Sequence, residues 1–415
     1  MFRMTRIDTR MVGEMPLIVE RIPGVRSAAL TWLLPAGSAR LPDGYDGMTA
    51  MWSEMICRGA GPLDSRAQAD AFDRLGVSRG TRVETFYLSV SATLLGSRVD
   101  EALPLIVDMV RRPTLGTDQV EPVRDLCLQA IAGLADDPQE RAMVELRRRH
   151  APVPINRSSL GSEADLRRFG ADEPRGMWAD FARPGGSILA LAGDVDIERV
   201  EPRVRELLQG WSGGVAEATW KDDAPRGVHH IEDDTNQVHI AIAHDSPSEQ
   251  DEDCWLERVV CAVLSGGMSG RLFTEVREKR SLCYSVYASY GADARYGRTV
   301  AYSGTTPERA QETVDVLLAE LRRIHDPAGR VTEGEFQRAM IGLKSRLVMS
   351  GESSGARAGA IARDHARIGR ARTLDELTGR LERITLDEVN AYLTRRELGR
   401  MTAVTIGPAA LNISL

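Results

Sequence analysis

No two histidines in this chain stand four residues apart. The seven present are His150, His229, His230, His239, His244, His325 and His365, so neither HxxEH nor HExxH occurs, and a helix-borne histidine pair sharing one zinc is excluded. His229 and His230 are adjacent, and neighbouring side chains on extended backbone point opposite ways. The five cysteines (Cys57, Cys127, Cys254, Cys261, Cys283) form no CxxC pair and are odd in number. That argues against a disulfide framework and for a reducing compartment. Long apolar runs are missing too: none approaches the roughly 18–20 residues that a membrane helix needs. After Met1-Phe2-Arg3-Met4-Thr5-Arg6, the charges of Glu14, Glu20, Arg21 and Arg26 interrupt any secretory h-region. A soluble cytoplasmic protein is expected. The net charge of −7 comes with Arg and Asp/Glu interleaved, so no basic stripe exists to neutralise phosphates, and nucleic acid is not an expected partner. The runs Arg147-Arg148-Arg149 and Arg395-Arg396 read as solvated helix ends.

What is present suits a soluble globular protein of about two domains. Over 415 residues, 42% are hydrophobic and 27% charged, while aromatics supply only 5%, so the cores are mainly aliphatic. The order of elements in the first half recurs in the second at an offset of about 210 residues. Strand-like Ala28–Leu34, a polar loop and helix Gly47–Cys57 parallel Val238–Ala243, an acidic loop and helix Cys254–Leu264. The alternation Phe86, Leu88, Val90, Ala92 followed by helix Val99–Val110 parallels Thr299–Ser303 followed by helix Pro307–Ile324. Helix Val120–Leu134 parallels Glu333–Val348, and Leu189–Gly193 parallels Ala403–Gly407. Thr332-x-x-Glu335 and Thr385-x-x-Glu388 have capping-box spacing. Gly213-Gly214 through Pro225-Arg226-Gly227 lacks apolar periodicity, as linkers do. The expectation is an α+β fold with two homologous domains, 1–212 and 228–415, joined by a linker at 213–227.

The run Ser265-Gly-Gly-Met-Ser-Gly-Arg-Leu-Phe-Thr-Glu-Val-Arg-Glu-Lys-Arg-Ser-Leu-Cys-Tyr-Ser-Val-Tyr287 resembles the second-domain signature of the pitrilysin/insulinase metallopeptidase family. Val25-Arg-Ser, Ala36-Gly-Ser, Asp136-Asp-Pro138, Gly161-Ser-Glu and Leu191-Ala-Gly-Asp-Val-Asp196 fall in the same family order. The resemblance implies two homologous domains, each a mostly antiparallel sheet packed with helices, and a pairing of two chains around a closed chamber. Active members carry HxxEH on the first long helix and a further Glu on a later one. Two histidines four apart share a helix face, and the intervening Glu polarises the metal-bound water. Placed by Gly47, Met55 and Gly59, those positions fall here on Ala50, Ser53 and Glu54, and the later Glu falls on Ala130. The resemblance therefore implies a zinc-site-degenerate member, with no cofactor in this chain and zinc expected in a partner subunit.

By the same resemblance, Arg277 and Tyr284 coincide with the Arg/Tyr pair that members use opposite the zinc. A guanidinium and a phenol can hydrogen-bond a substrate carbonyl and the oxyanion that develops on it. Read from the sequence pattern alone, Arg277 is a surface helix charge and Tyr284 a half-buried strand residue. Ser265, Gly266, Gly267, Met268, Ser269 and Gly270 stand where the non-catalytic subunit of the mitochondrial processing peptidase carries a substrate loop. They also suit a tight helix-to-helix turn. In active members an extended peptide adds to an edge strand equivalent to Val77–Tyr87 here, but Ser78-Arg-Gly-Thr-Arg82 replaces the family's Asn-Ala.

The function expected from these residues is that of a catalytically inactive subunit of a heterodimeric metalloendopeptidase. It would pair with an HxxEH-bearing homologue, act on peptides and contribute Arg277 and Tyr284. Two alternatives stay open: a structural or peptide-binding homodimer of the same fold, and a self-sufficient peptidase with an unorthodox site.

Overall fold

The computed structural model describes residues 6–415; residues 1–5, which open the N-terminal segment read above, lie outside the described residues. The strands are β1 (Arg6–Val12), β2 (Met15–Arg21), β3 (Ser27–Leu34), β4 (Gly59–Ala60), β5 (Leu63–Asp64), β6 (Ser78–Val83), β7 (Leu88–Leu95), β8 (Ile188–Gly193), β9 (Gly227–Glu232), β10 (Val238–Ser246), β11 (Cys283–Ala292), β12 (Gly297–Thr305) and β13 (Thr402–Gly407). The α-helices are α1 (Met48–Met55), α2 (Ser65–Leu75), α3 (Val99–Arg111), α4 (Thr117–Ala132), α5 (Pro138–His150), α6 (Glu163–Arg168), α7 (Glu173–Phe181), α8 (Ile197–Leu207), α9 (Cys254–Ser265), α10 (Ala310–Arg323), α11 (Glu333–Gly351), α12 (Ser354–Ile368), α13 (Leu374–Glu382) and α14 (Leu386–Arg395).

The chain forms two compact units. Unit 1 comprises the chain up to Gly133, Val153–Lys221 and Ser350–Leu374; unit 2 comprises Leu134–Pro152, Asp222–Met349 and Asp375–Leu415. Unit 1 holds a sheet of order β1-β2-β8-β3-β7-β6 and unit 2 one of order β11-β12-β10-β13-β9. Most pairs are antiparallel, and each sheet has one parallel pair, β2 with β8 and β13 with β9. Read in opposite directions the two orders match, with β3 in the place of β10, β8 of β13, β7 of β12 and β6 of β11. This is the α+β duplication expected from the recurring elements.

The central strands of both sheets are buried on both faces, and strict alternation sorts the side chains. In unit 1, Leu17, Val19, Leu30 and Trp32 join the large core with α1, α3, α7 and α8. The interleaved Ile18, Leu33, Ile188 and Ala190 pack on the opposite face against Ile361 and Ala362 of α12. In unit 2, Val238, Ile240 and Ile242 face α9, α10, α11 and α14. Ala241, Ala243, Val404 and Ile406 face Ala142 and Leu146 of α5. The covering helix of each second face therefore comes from the other half of the sequence: α5 follows α4 in the chain yet belongs to unit 2, and α12 follows α11 yet belongs to unit 1.

Local signals explain the helix ends. The Thr385/Glu388 capping box is formed in full. At α11 the Glu335 carboxylate accepts from the Thr332 backbone N–H at 2.9 Å.

The arginine runs correct the expectation of solvated ends. Arg148 and Arg395 are exposed, but Arg396 is buried and makes two 2.7 Å hydrogen bonds to the fully buried Glu257. Arg147 is half-buried, and burial first, then Arg298, brings its guanidinium down to about 10. Sequence showed these side chains at helix ends; it did not show that the ends are covered by unit 2.

Candidate functional site

In unit 1 the helix expected to carry the chemistry is set by a glycine turn. Gly47 caps α1 in the left-handed region at φ 109°, and a Cβ there would stand 2.8 Å from the Leu166 side chain. Met48, Met51, Trp52 and Met55 then fall on one helix face and are fully buried. Trp52 Nε1 donates to the Pro174 carbonyl at 2.8 Å, which fixes the rotation of α1.

That rotation turns Ala50, Ser53 and Glu54 together into a cavity of about 300 Å³. Leu126, Cys127 and Ala130 of α4 form the facing wall. Arg82 and Val83 of β6 and Ser159 and Leu160 complete it. All four degenerate positions therefore line one hollow.

Its donors do not suit a metal. Ser53 Oγ donates to Thr81 Oγ1 at 2.9 Å, while Thr81 Oγ1 donates to the Ser53 carbonyl at 3.0 Å, so the hydroxyl is tied to β6. Burial first, then the charge of Glu54, raises the Cys127 thiol to about 11, so it offers no thiolate near neutral pH. Glu54 alone remains as a carboxylate, and zinc needs three or four protein ligands. Among the described residues, no three His, Cys, Asp or Glu side chains are grouped to hold a metal ion.

Unit 2 carries the other expected residues. Beyond α9 the chain turns through Gly266–Gly270. Gly267 has φ +145°, a Cβ on Gly266 would lie 2.2 Å from the Ala262 carbonyl oxygen, and one on Gly270 2.9 Å from that of Leu264. The turn itself thus requires these glycines. Its apex, Met268, is 73% exposed. Beneath it, buried Arg271 bonds Glu335 at 2.6 and 2.9 Å and donates to the Gly329 and Arg330 carbonyls. Burial works to raise the Glu335 carboxyl, but Arg271 and the Thr332 backbone outweigh it and bring it to about 2. The space left between the turn and α11 is about 30 Å³, the scale of a water molecule and not of a side chain.

Arg277 lies in the last turn of a π-helical segment, Phe273–Glu278, with its guanidinium carbon 4.8 Å from the centre of the Phe273 ring. Ser281 follows at φ 52°, an uncommon conformation for a non-glycine residue. In the β11–β12 ladder Cys283 pairs with Thr305 and Ser285 with Gly304. Tyr284 is the additional residue of a β-bulge, a device that re-aims a side chain. It is 71% exposed, not half-buried as its position in a strand suggested. Arg277 is exposed as well. A π-helical segment, a positive φ and a bulge thus fall within twelve residues; none has a signal in the sequence.

Sequence reading also missed a buried polar cluster of unit 2. Besides Arg396, Glu257 accepts from Thr299 Oγ1 at 2.7 Å and from the Tyr392 hydroxyl at 2.8 Å. His244 uses one ring nitrogen on the Asp245 carbonyl and the other on Arg396. Burial, with Arg396 next, lowers His244 to about 4. Capping-box spacing made Glu335 legible, but nothing marked Glu257 or Arg396 as partners 139 residues apart.

Residues 170–343 match the family described as the Peptidase M16 inactive domain. Similarity to curated relatives extends over almost the whole length. The chain is 26% identical to an uncharacterized zinc protease of Streptomyces coelicolor, over 96% of this chain and 89% of that one. Through the 170–343 segment the chain resembles the M16, or pitrilysin-type, peptidases. Other relatives are uncharacterized zinc proteases of Mycobacterium tuberculosis, at 26% identity over 98% and 94% of the two chains, and of Bacillus subtilis, at 24% over 90% and 91%. The M16 fold is shared with a solved structure of a peptidase M16 inactive domain from Pseudomonas fluorescens, with TM-score 0.85 at 20% identity over 99% of each chain. A putative M16-like peptidase from Alicyclobacillus acidocaldarius gives 0.82 at 16%, over 97% and 98%. The matched segment is thus of the inactive-domain type. Among the chain's described residues, no helix is long and apolar enough to cross a membrane.

Proposed function

We propose that this chain is the zinc-less subunit of an M16 heterodimer that cleaves peptides. An HxxEH-bearing homologue would supply the metal centre, and this chain would supply Arg277 and Tyr284. The observation that carries the reading is selective. The four metal-site positions hold no usable ligand set, whereas Arg277 and Tyr284 are exposed and Tyr284 is turned out by a bulge. The guanidinium and the phenol would donate to the substrate carbonyl and hold the oxyanion as it forms. Met268 at the apex of the glycine turn would lie against the peptide.

The test mixes the chain with its zinc-bearing homologue and follows cleavage of a quenched fluorescent peptide. Arg277→Ala with Tyr284→Phe is expected to lower kcat by about 10²–10³ while leaving co-purification of the two chains intact. Unchanged kcat would overturn the catalytic role. No stimulation of the homologue by this chain would favour the homodimeric reading, which the steric need for glycine at Gly266 and Gly270 already accommodates.

A further inference from the structure

We infer that Arg396 and the two histidines it touches, His244 and His325, form an acid-sensitive bolt on the C-terminal end of α14. Acid withdraws the bolt, frees that end and uncovers apolar residues of unit 2. The device lies within unit 2 and is independent of the pairing proposed above.

The hydrogen-bond partners fix the protonation state of both rings. A guanidinium can only donate, and a carbonyl can only accept. Arg396 donates through Nη2 to His244 Nε2 at 3.1 Å and through Nη1 to His325 Nε2 at 2.9 Å. The opposite nitrogens therefore carry the hydrogens: His244 Nδ1 donates to the Asp245 carbonyl at 2.8 Å, and His325 Nδ1 to the Leu393 carbonyl at 3.2 Å. Both rings are neutral and in the same tautomer. A proton added to either Nε2 would exchange a hydrogen bond for two cations in contact.

The surroundings hold nothing to compensate a second cation. Glu257 already meets Arg396 at 2.7 Å through each of its oxygens and accepts from Thr299 and Tyr392 as well. Among the described residues, neither ring hydrogen-bonds a carboxylate. Burial keeps the Tyr392 and Tyr290 hydroxyls and the Cys261 thiol neutral. The Asp245 carboxylate is engaged by Arg226 and lies 3.4 Å from His150 of α5, which in turn contacts Thr402 at 3.0 Å. Asp326 and Arg346 are exposed, and exposed Arg395 is paired with Asp253. Burial first, and Arg396 second, hold both His244 and His325 below the ordinary imidazole range.

One guanidinium thus ties the end of α14 to α9 through Glu257, to β10 through His244 and to the segment after α10 through His325. Val389, Tyr392 and Leu393 of the same helix are buried in the core of unit 2, so release of this end would expose them. His325 is half-buried and His244 fully buried. The first proton therefore arrives at His325.

Hydrogen exchange of the full-length chain, read by mass spectrometry from pH 7.5 to 4.5 and corrected for intrinsic exchange rates, tests this. A histidine held below its ordinary value of 6.5 supports the closed form fully above that pH and progressively less as pH falls toward its folded value. With two such histidines, protection of residues 389–401 is expected to fall by roughly ten- to a hundredfold per pH unit below about 6, while β2, β3 and β8 of unit 1 keep theirs. His325→Gln, whose amide can make both hydrogen bonds but cannot titrate, removes one proton from the count and should reduce the slope to about tenfold per pH unit. His325→Lys sets a permanent cation beside Arg396 and should open the segment already at pH 7.5. Wild-type protection of 389–401 that is unchanged down to pH 4.5, or a loss of equal size in unit 1, would sink the proposal without any variant. The same slope in His325→Gln as in the wild type would sink it too.

Discussion

Helices α1 and α9 hold the same place in the two repeated units, each following the strand at the middle of its sheet's conserved order, β3 or β10. Each carries a glutamate, and the two glutamates have opposite fates. Glu257 is fully buried and held by Arg396, Thr299 and Tyr392, whereas Glu54 is exposed with no side-chain partner among the described residues. The spaces nearby differ in the same sense. Between the end of α9 and α11, Arg271 and Glu335 leave about 30 Å³, while α1 and α4 enclose about 300 Å³. One backbone plan thus supports a filled polar core and a hollow. On α9 the glutamate is paired with an arginine, and on α1 it is left exposed beside the hollow.

The largest expected effect comes from breaking the filled side. Arg396→Leu leaves Glu257 buried without its counter-charge and should destabilise the protein by about 3–5 kcal/mol. Glu54→Ala should change stability by no more than about 0.5 kcal/mol. Urea unfolding followed by tryptophan fluorescence and circular dichroism measures both, and similar values for the two variants would dissolve the contrast.

A somewhat smaller loss is expected at the helix that unit 1 receives from the second half of the chain. Arg357 of α12 donates to Glu20 at 2.8 Å, both side chains being almost fully buried, and also to the Arg372 carbonyl. Arg357→Met should cost about 3 kcal/mol, since it strands the Glu20 carboxylate. Hydrogen exchange should show the loss on β2, β3 and β8 in particular. Uniform loss over both units would argue that α12 is not the local clasp of unit 1.

The smallest effect concerns acid. Glu335 is depressed to about 2 in the folded protein, so its stabilisation is present above its unfolded value near 4.5. That stabilisation is lost as pH falls toward 2. Discounted for the part of the carboxylate that faces solvent, it amounts to on the order of 2 kcal/mol. Glu335→Gln should flatten the slope of stability against pH between about 4.5 and 2. His244, depressed to about 4, acts at higher pH: protonation of the unfolded chain removes its contribution between about 6.5 and 4. A slope in the lower window that persists in Glu335→Gln would assign it to other carboxylates.

How much of this was legible in the sequence depends on the range of the interaction involved. The capping boxes at Thr332 and Thr385, the alternation of β7 and the absence of HxxEH are local, and each could be read directly. That Ala50, Ser53, Glu54 and Ala130 line one hollow required two helices brought together from distant positions; the family resemblance supplied the list of residues but not the space between them. Arg396 was misread as solvated because a helix-end arginine looks the same whether its partner is water or a glutamate 139 residues away. Tyr284 was placed on the right strand but with the wrong exposure, because a bulge adds one residue without any marker in composition. The exchange of α5 and α12 had no signal either. An amphipathic helix shows which of its sides is apolar, not which sheet it will cover.

That exchange sets a schedule for biosynthesis. Domains generally fold as units, the N-terminal one first as it leaves the ribosome, but unit 1 is incomplete until α12 has been made. The roughly 150 residues between Lys221 and Leu374 take about 8–30 s to translate. Throughout that interval Ile18, Leu33, Ile188 and Ala190 lack the helix that covers them in the finished protein. The nascent chain therefore presents a bare apolar sheet face to the cell for more than a third of its synthesis, a period in which a chaperone would have a defined surface to hold and a truncated transcript would have no way to hide it.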